Sequence, residues 1–146
     1  MARGPLWTCP ACGRTFANPR QPHTCAPLGD LARHFVGKDP QVRATFDRIL
    51  SLVETLGPVD VLPEKTRIAL HVRMSFAAFM PRRHWLDGHL VLARQATHPT
   101  FRKIETYSPR NVLHTLRLTH PEEVDQPLFA LLSEAYRVGE QHHLNG

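Results

Sequence analysis

The spacing of hydrophobic positions changes twice along the chain. Val42, Phe46, Ile49, Leu50, Val53 and Leu56 recur on one helical face, with Arg43, Asp47 and Glu54 opposite. Asp39 supplies an N-cap, Pro40 the first turn and Gly57-Pro58 a stop, so the spacing predicts a helix between Asp39 and Gly57. From Val59 the period falls to two. It predicts short strands over Val59–Pro63, Arg67–Val72, Met74–Met80, Trp85–Arg94 and Val112–Leu118. In the second strand Ile68, Leu70 and Val72 share one face, and Arg67, Ala69 and His71 the other. In the third, Met74, Phe76, Ala78 and Met80 share a face. Asp87-Gly88 offers a turn as an alternative to a continuous fourth strand. Thr97–Glu105 reads as an irregular or short helical crossover. Helical spacing returns after a preliminary turn at Pro121–Val124. Asp125 caps a helix whose stripe is Leu128, Leu131, Leu132, Ala135 and Val138.

Helix, strands, helix is an α+β order. The short connections predict a mostly antiparallel sheet of about five strands. Two single-striped helices, one N-terminal and one C-terminal, are expected to pack on one of its faces. Residues 39–146 then form one domain, residues 28–38 a linker broken by Gly29 and Gly37, and residues 1–27 a separate small unit.

That small unit holds all three cysteines of the chain. Cys9 and Cys12 form a C-x2-C pair, and His23-x-Cys25 follows ten residues later. Zn2+ takes four thiolate or imidazole ligands in a tetrahedron, and a two-residue spacer turns both sulfurs towards one ion. Gly13 follows where such a turn needs positive φ. The H-x-C pair is tighter than the H-x3–5-H of DNA-reading fingers, so the unit reads as a variant ribbon or knuckle. A redox CxxC would open a helix, which the proline-rich flanks disfavour. Four protein ligands, Cys9, Cys12, His23 and Cys25, with His34 the nearest substitute for His23, would fill the metal, so the expected role of Zn2+ is structural. So short a segment buries little core, and metal binding, worth about 10–16 kcal/mol in finger peptides, would fold it.

Charge sharpens the picture. The chain carries a net +5. Residues 65–117 hold ten basic and two acidic residues, a net of +8, whereas 39–64 net −3 and 118–146 net −4. The basic block is the predicted sheet and the acidic blocks are the helices. A sheet face left uncovered would be positive, with Arg67, His71 and Arg73 on the parity opposite the core. No signal peptide is evident at Met-Ala-Arg-Gly-Pro, and no apolar run approaches the ~18 residues of a membrane span. With every cysteine assigned to metal and none to a disulfide, the expected compartment is the cytoplasm and no membrane partner is expected.

Several motifs are shared with a known family. They are Trp7-x-Cys-Pro-x-Cys-Gly-Arg-x-Phe16, Gln21-x-His23-x-Cys25, Phe35-x-Gly37-Lys38, Gly57-Pro58-Val59, Lys65-Thr-Arg-Ile68, His98-Pro-x-Phe101, Ser108-Pro109 and Glu134-Ala-Tyr136. With these the chain resembles an uncharacterised bacterial family, domain of unknown function 5655, preceded by a zinc-knuckle extension. The resemblance spans nearly the whole chain. It implies a compact α+β domain and no established activity. That relatives of the domain are attached to nuclease-like modules points faintly to nucleic acid.

Three functional classes follow. A nucleic-acid-binding module fits the basic sheet, the zinc knuckle and a pI near 9.6. Its phosphate contacts would be Arg14, Arg20, Arg67, Arg73, Arg82, Arg83, Arg102, Lys103 and Arg110, on DNA or RNA. An interaction or small-ligand module is the second class. Opposed charge blocks would pair sheet to helix in a homo-oligomer, or Phe79, Trp85 and Tyr107 would line a groove. An enzyme using His71, His84, His89, His98 and His114 is the third. It is disfavoured, because Asp87 and Glu105 are the only carboxylates in that block. No phosphate loop, H-E-x-x-H or unassigned cysteine nucleophile accompanies them. By parity with Leu116 and Leu118, His114 reads as a satisfied core histidine, and His98 before Pro99 reads as turn chemistry.

Overall fold

The computed structural model describes residues 6–11, 13, 15–17, 20 and 29–141. Near the N-terminus, β1 (Trp7–Thr8) and β2 (Thr15–Phe16) pair antiparallel, Trp7 opposite Phe16. Between them Gly13 takes φ +76°, and its N–H donates to the Cys9 carbonyl at 2.8 Å. The Trp7 and Phe16 rings lie 6.2 Å apart.

The linker carries a short 3-10 helix, Leu31–Phe35. The Asp30 carboxylate accepts from the Ala32 N–H at its start. Leu31 and Phe35 pack against the core, as their spacing suggests, and Phe35 meets Phe46 at 5.6 Å.

Helix α1 spans Pro40–Glu54, with Asp39 as N-cap and Pro40 in the first turn. The Asp39 side chain does not cap, contrary to expectation. Its carboxylate instead meets His84 Nδ1 at 2.6 Å. Helix α2 spans Gln126–Gly139, and here the expected cap is made, Asp125 accepting from the Leu128 N–H at 2.9 Å. A 3-10 turn over Pro121–Glu123 precedes it, matching the expected preliminary turn.

Between the helices lie β3 (Asp60–Pro63), β4 (Ile68–His71), β5 (Ser75–Pro81), β6 (Leu86–Leu92), β7 (Phe101–Ser108) and β8 (Asn111–Leu118). They form one antiparallel sheet in the order β3-β4-β5-β6-β8-β7. The α+β class and antiparallel pairing stand; the strand number is six, not about five. The extra strand is β7, which occupies most of the stretch expected to be a crossover. Asp87-Gly88 is mid-strand rather than a turn, with Gly88 opposite Phe79 and Leu116.

A bulge between Leu70 and His71 shifts the β4–β5 register. The expected single face of Met74, Phe76, Ala78 and Met80 is therefore broken. Ala77 and Phe79 join the core alongside Phe76, while Ala78 sits opposite Ala69. Arg73 marks the turn between these strands. The N–H groups of Arg73 and Met74 both donate to the Gly139 carbonyl, at 2.9 and 3.1 Å, and so satisfy the end of α2.

One buried cluster joins Phe46, Ile49 and Val53 of α1, Leu128, Leu132 and Ala135 of α2, and Ile68, Phe79, Leu90 and Leu116 of the sheet. Each such side chain taken from water contributes about 1.5–3 kcal/mol. Among the described residues no helix is long and apolar enough to cross a membrane.

Candidate functional site

The side chains of the sheet that point away from this cluster divide into two regions. On β4 and β5 they are covered. Ala69 and Ala78 are buried, and His71 is only 3% exposed. The Phe16 ring of β2 stands edge-on to His71 with centroids 6.0 Å apart. His71 Nδ1 shares a hydrogen bond with Ser75 Oγ at 3.1 Å. Burial pushes this imidazole below its ordinary pKa, against the pull of the Asp60 and Glu64 carboxylates. His89, opposite Ala78, is also pushed down by burial and by nearby Arg67.

The expected positive face of Arg67, His71 and Arg73 is therefore not what forms. His71 lies beneath Phe16. Arg67 pairs with Glu64 at 2.8 Å, and the Arg73 guanidinium donates to Gln141 Oε1 at 2.9 Å beyond the strand.

The second region is half-buried on β6 and β8 and exposed on β7. Alternation on β6 and β8 brings Asp87 opposite Arg117. The Asp87 carboxylate accepts from Arg117 Nε at 2.9 Å and from Arg82 Nε at 3.1 Å. Burial raises the Asp87 pKa, but the two arginines outweigh it and hold the carboxyl below the usual range. Arg117 stacks over the Trp85 ring at 4.4 Å, a cation–π contact. One strand further on, Lys103 Nζ lies 3.2 Å from Glu105, which also accepts from the Tyr107 hydroxyl at 2.9 Å. Tyr107 is 63% exposed and Ile104 38%. Beside them Thr97, His98, Phe101, Arg102, Lys103 and Ile104 line a shallow cleft of about 390 Å³. Its lining joins two cations, Arg102 and Lys103, to apolar and aromatic groups.

The nine expected phosphate contacts do not converge. Arg14 lies outside the described residues. Arg20 is exposed, with a left-handed backbone at φ 56°. Arg82 is tied to Asp87, and exposed Arg83 sits at the β5–β6 turn, where its carbonyl accepts from the Asp39 N–H. Arg102, Lys103 and Arg110 are exposed together along the β7–β8 hairpin. Arg117 and its Trp85 stack were missed. The alternation that placed Arg117 opposite Leu116 and Leu118 was the signal that could have found them. The groove of Phe79, Trp85 and Tyr107 does not form, because Phe79 is buried in the core.

Most of the histidines carry structural bonds. His114 is fully buried, as its parity suggested, and both ring nitrogens are used. Nδ1–H donates to the Val112 carbonyl at 3.1 Å, and Nε2 accepts from the Ala96 N–H at 3.0 Å. Burial lowers its pKa, so the ring is held neutral. His98 ties the β6–β7 connection to α2: Nε2 bonds Asp125 at 3.0 Å and Nδ1 accepts from the Thr100 hydroxyl at 2.7 Å. This line has the order of a hydroxyl–imidazole–carboxylate relay. Thr100 is buried, however, and Asp125 is engaged as the cap of α2. His84 is exposed and paired with Asp39.

Of the four expected metal ligands, Cys12, His23 and Cys25 lie outside the described residues. Cys9 is buried at 5% exposure. The turn that follows it is closed by the Gly13 N–H on the Cys9 carbonyl, with Gly13 at positive φ. Residues 32–139 match the family model described as Domain of unknown function (DUF5655). No curated protein and no solved structure matches the chain.

Proposed function

The chain belongs to the DUF5655 family, whose description carries no activity, and on that footing we propose that it is a zinc-stapled module that binds unpaired nucleic acid. Both helices cover one face of the sheet. Zn2+ held by Cys9, Cys12, His23 and Cys25 folds the N-terminal knuckle onto the β4–β5 part of the other face. The β6–β8–β7 part stays open, and the protein works in the cytoplasm.

The observation that carries this reading is the exposed Tyr107 on a hairpin that also exposes Arg102, Lys103 and Arg110, with Arg117 towards its far end. Cations spaced along a strand track a phosphate backbone, and an exposed ring stacks a base of any identity. Arg117 on Trp85 presents a second planar surface on the same face. With Arg82, five cations stand against the carboxylates of Asp87 and Glu105, so this side keeps a positive balance despite its internal ion pairs.

Fluorescence anisotropy tests this with labelled single-stranded RNA, single-stranded DNA and duplex DNA across a salt series. Single strands are expected to bind tighter than the duplex, with affinity falling steeply as salt rises. Arg102→Glu should weaken binding and flatten the salt slope by roughly 0.7 per lost phosphate contact. Tyr107→Ala should cost about 1–3 kcal/mol with the slope unchanged. No binding to any strand at low salt would remove the reading.

A further inference from the structure

The two edges of the large sheet are unlike. β3 has four residues and ends at Pro63, and the Gly29 N–H closes onto the Pro63 carbonyl at 2.9 Å. His34 closes the next carbonyl, that of Glu64, at 2.7 Å. β7 has eight residues, no proline and, among the described residues, only β8 beside it. Every second backbone N–H and C=O of β7 therefore points outward, a template for another strand. Two of the four exposed large hydrophobic residues among those described, Ile104 and Tyr107, lie on this strand.

We propose that β7 is a homodimer edge, pairing antiparallel with β7 of a second copy about a twofold axis at Ile104. The sequence around that point is self-complementary. With Ile104 opposite Ile104 of the second copy, Lys103 falls opposite the second copy's Glu105, and Glu105 opposite its Lys103. Directly opposed residues in an antiparallel pair share a face, with Cβ atoms about 4.5–5.5 Å apart. Lys103 and Glu105 already share a face within one strand, 3.2 Å apart at their charged ends. The pairing thus joins two such ion pairs into a ring of four alternating charges. Moving the twofold axis by one residue, to Lys103 or to Glu105, would set Lys103 opposite Lys103 or Glu105 opposite Glu105. Closed twofold symmetry, with the same patch on both subunits, is the common form of a homodimer.

The bulges at Phe101/Lys103 and Thr106/Ser108 confine regular pairing to the stretch between them. The interface is small, and a reversible dimer that dissociates on dilution follows. Edge-to-edge pairing leaves side chains on both faces, so two basic patches would come to lie on one continuous sheet. The dimer does not depend on the nucleic-acid reading and is measured without nucleic acid.

Sedimentation velocity on the full chain over a range of concentrations tests it. The expected result is a mass rising from one chain to two. Lys103→Glu places glutamates opposite Glu105, and Glu105→Lys places lysines opposite Lys103. Each variant alone should raise the dimer dissociation constant at least about tenfold, since two attractive pairs become repulsive. An equimolar mixture of the two variants restores opposite charges at every position and should regain the dimer, as should the double variant K103E/E105K. Circular dichroism confirms that these exposed substitutions leave the fold intact. A chain that stays monomeric at every concentration overturns the proposal and leaves the edge to a different partner. So does a dimer indifferent to both reversals, which must use another surface.

Discussion

At Gly88 the sheet leaves no room for a side chain. A Cβ built there would stand 2.5 Å from Phe79 Cδ1 and 2.8 Å from the Ala78 carbonyl oxygen. The second contact is backbone and cannot swing aside. Gly88→Ala is therefore expected to lower stability by about 1–3 kcal/mol, read from the urea midpoint, and an unchanged midpoint would show that β5 and β6 can separate freely. His114 is fixed by a different cause. Replacing it with leucine keeps the volume but takes the acceptor from the buried Ala96 N–H and one bond from the Val112 carbonyl. About 1–3 kcal/mol should be lost per group left without a partner, and hydrogen exchange at Ala96 should accelerate. Parity with Leu116 made the burial of His114 legible in the sequence. Parity could not show where a carboxylate would find its partner. Asp39 reads as a helix cap, yet it turns to His84, which is distant in sequence and adjacent only after β5 and β6 have paired. Arg67 likewise reads as an open cation until the β3–β4 turn delivers Glu64.

Elements with one buried face were legible and the others were not. Both helices and most strands carry a stripe or an alternation that burial imposes. β7 lacks one because, as an edge strand beyond β8, it exposes most of its residues on both sides. Nothing then constrains alternation, and Arg102-Lys103-Ile104-Glu105-Thr106 reads as a polar connection. The knuckle posed the opposite problem. Its C-x2-C and H-x-C pairs are legible as proposed ligands, but the docking of β2 on the sheet is a tertiary fact, visible in the Phe16–His71 contact. That contact makes a prediction at this scale. Phe16→Ala should let water reach His71 and return its imidazole upward towards the ordinary value of 6.5, followed by NMR titration of the ring protons. If zinc holds the knuckle in place, a chelator should cause the same shift in the unsubstituted protein while the core amides of α1 and α2 keep their protection. A His71 titration unmoved by both would mean that the knuckle neither covers the sheet nor depends on metal to do so.

Taken whole, the molecule combines a basic sheet with neutral histidines inside it, and its response to acid follows from both. His71, His89 and His114 all have folded-state pKa values lowered chiefly by burial. In the unfolded chain each would take up a proton near 6.5, while in the fold each resists until lower pH. Below 6.5 the unfolded state therefore binds more protons, and stability, fully present above that value, is lost as pH falls. Asp87, Glu123 and Asp125 are lowered from ordinary values of 3.8, 4.5 and 3.8, by arginine or by N–H and hydroxyl donors that outweigh burial where it opposes them. Their contribution is present above those values and goes only as the pH drops past them. Acid denaturation should thus come in two stages, histidine first and carboxylate second, each adding positive charge to a chain that already carries a net +5. Urea midpoints taken from above 6.5 to below 3.8 should decline in the first window and steepen in the second. Repeating the series with a chelator separates this loss from release of the proposed zinc. The double variant His71→Gln and His89→Gln should flatten the first stage and leave the second in place. A midpoint constant from 6.5 down to 4.5 would mean that these imidazoles meet water in the folded protein. The sheet face over β4 and β5 would then be open to solvent rather than covered by the knuckle.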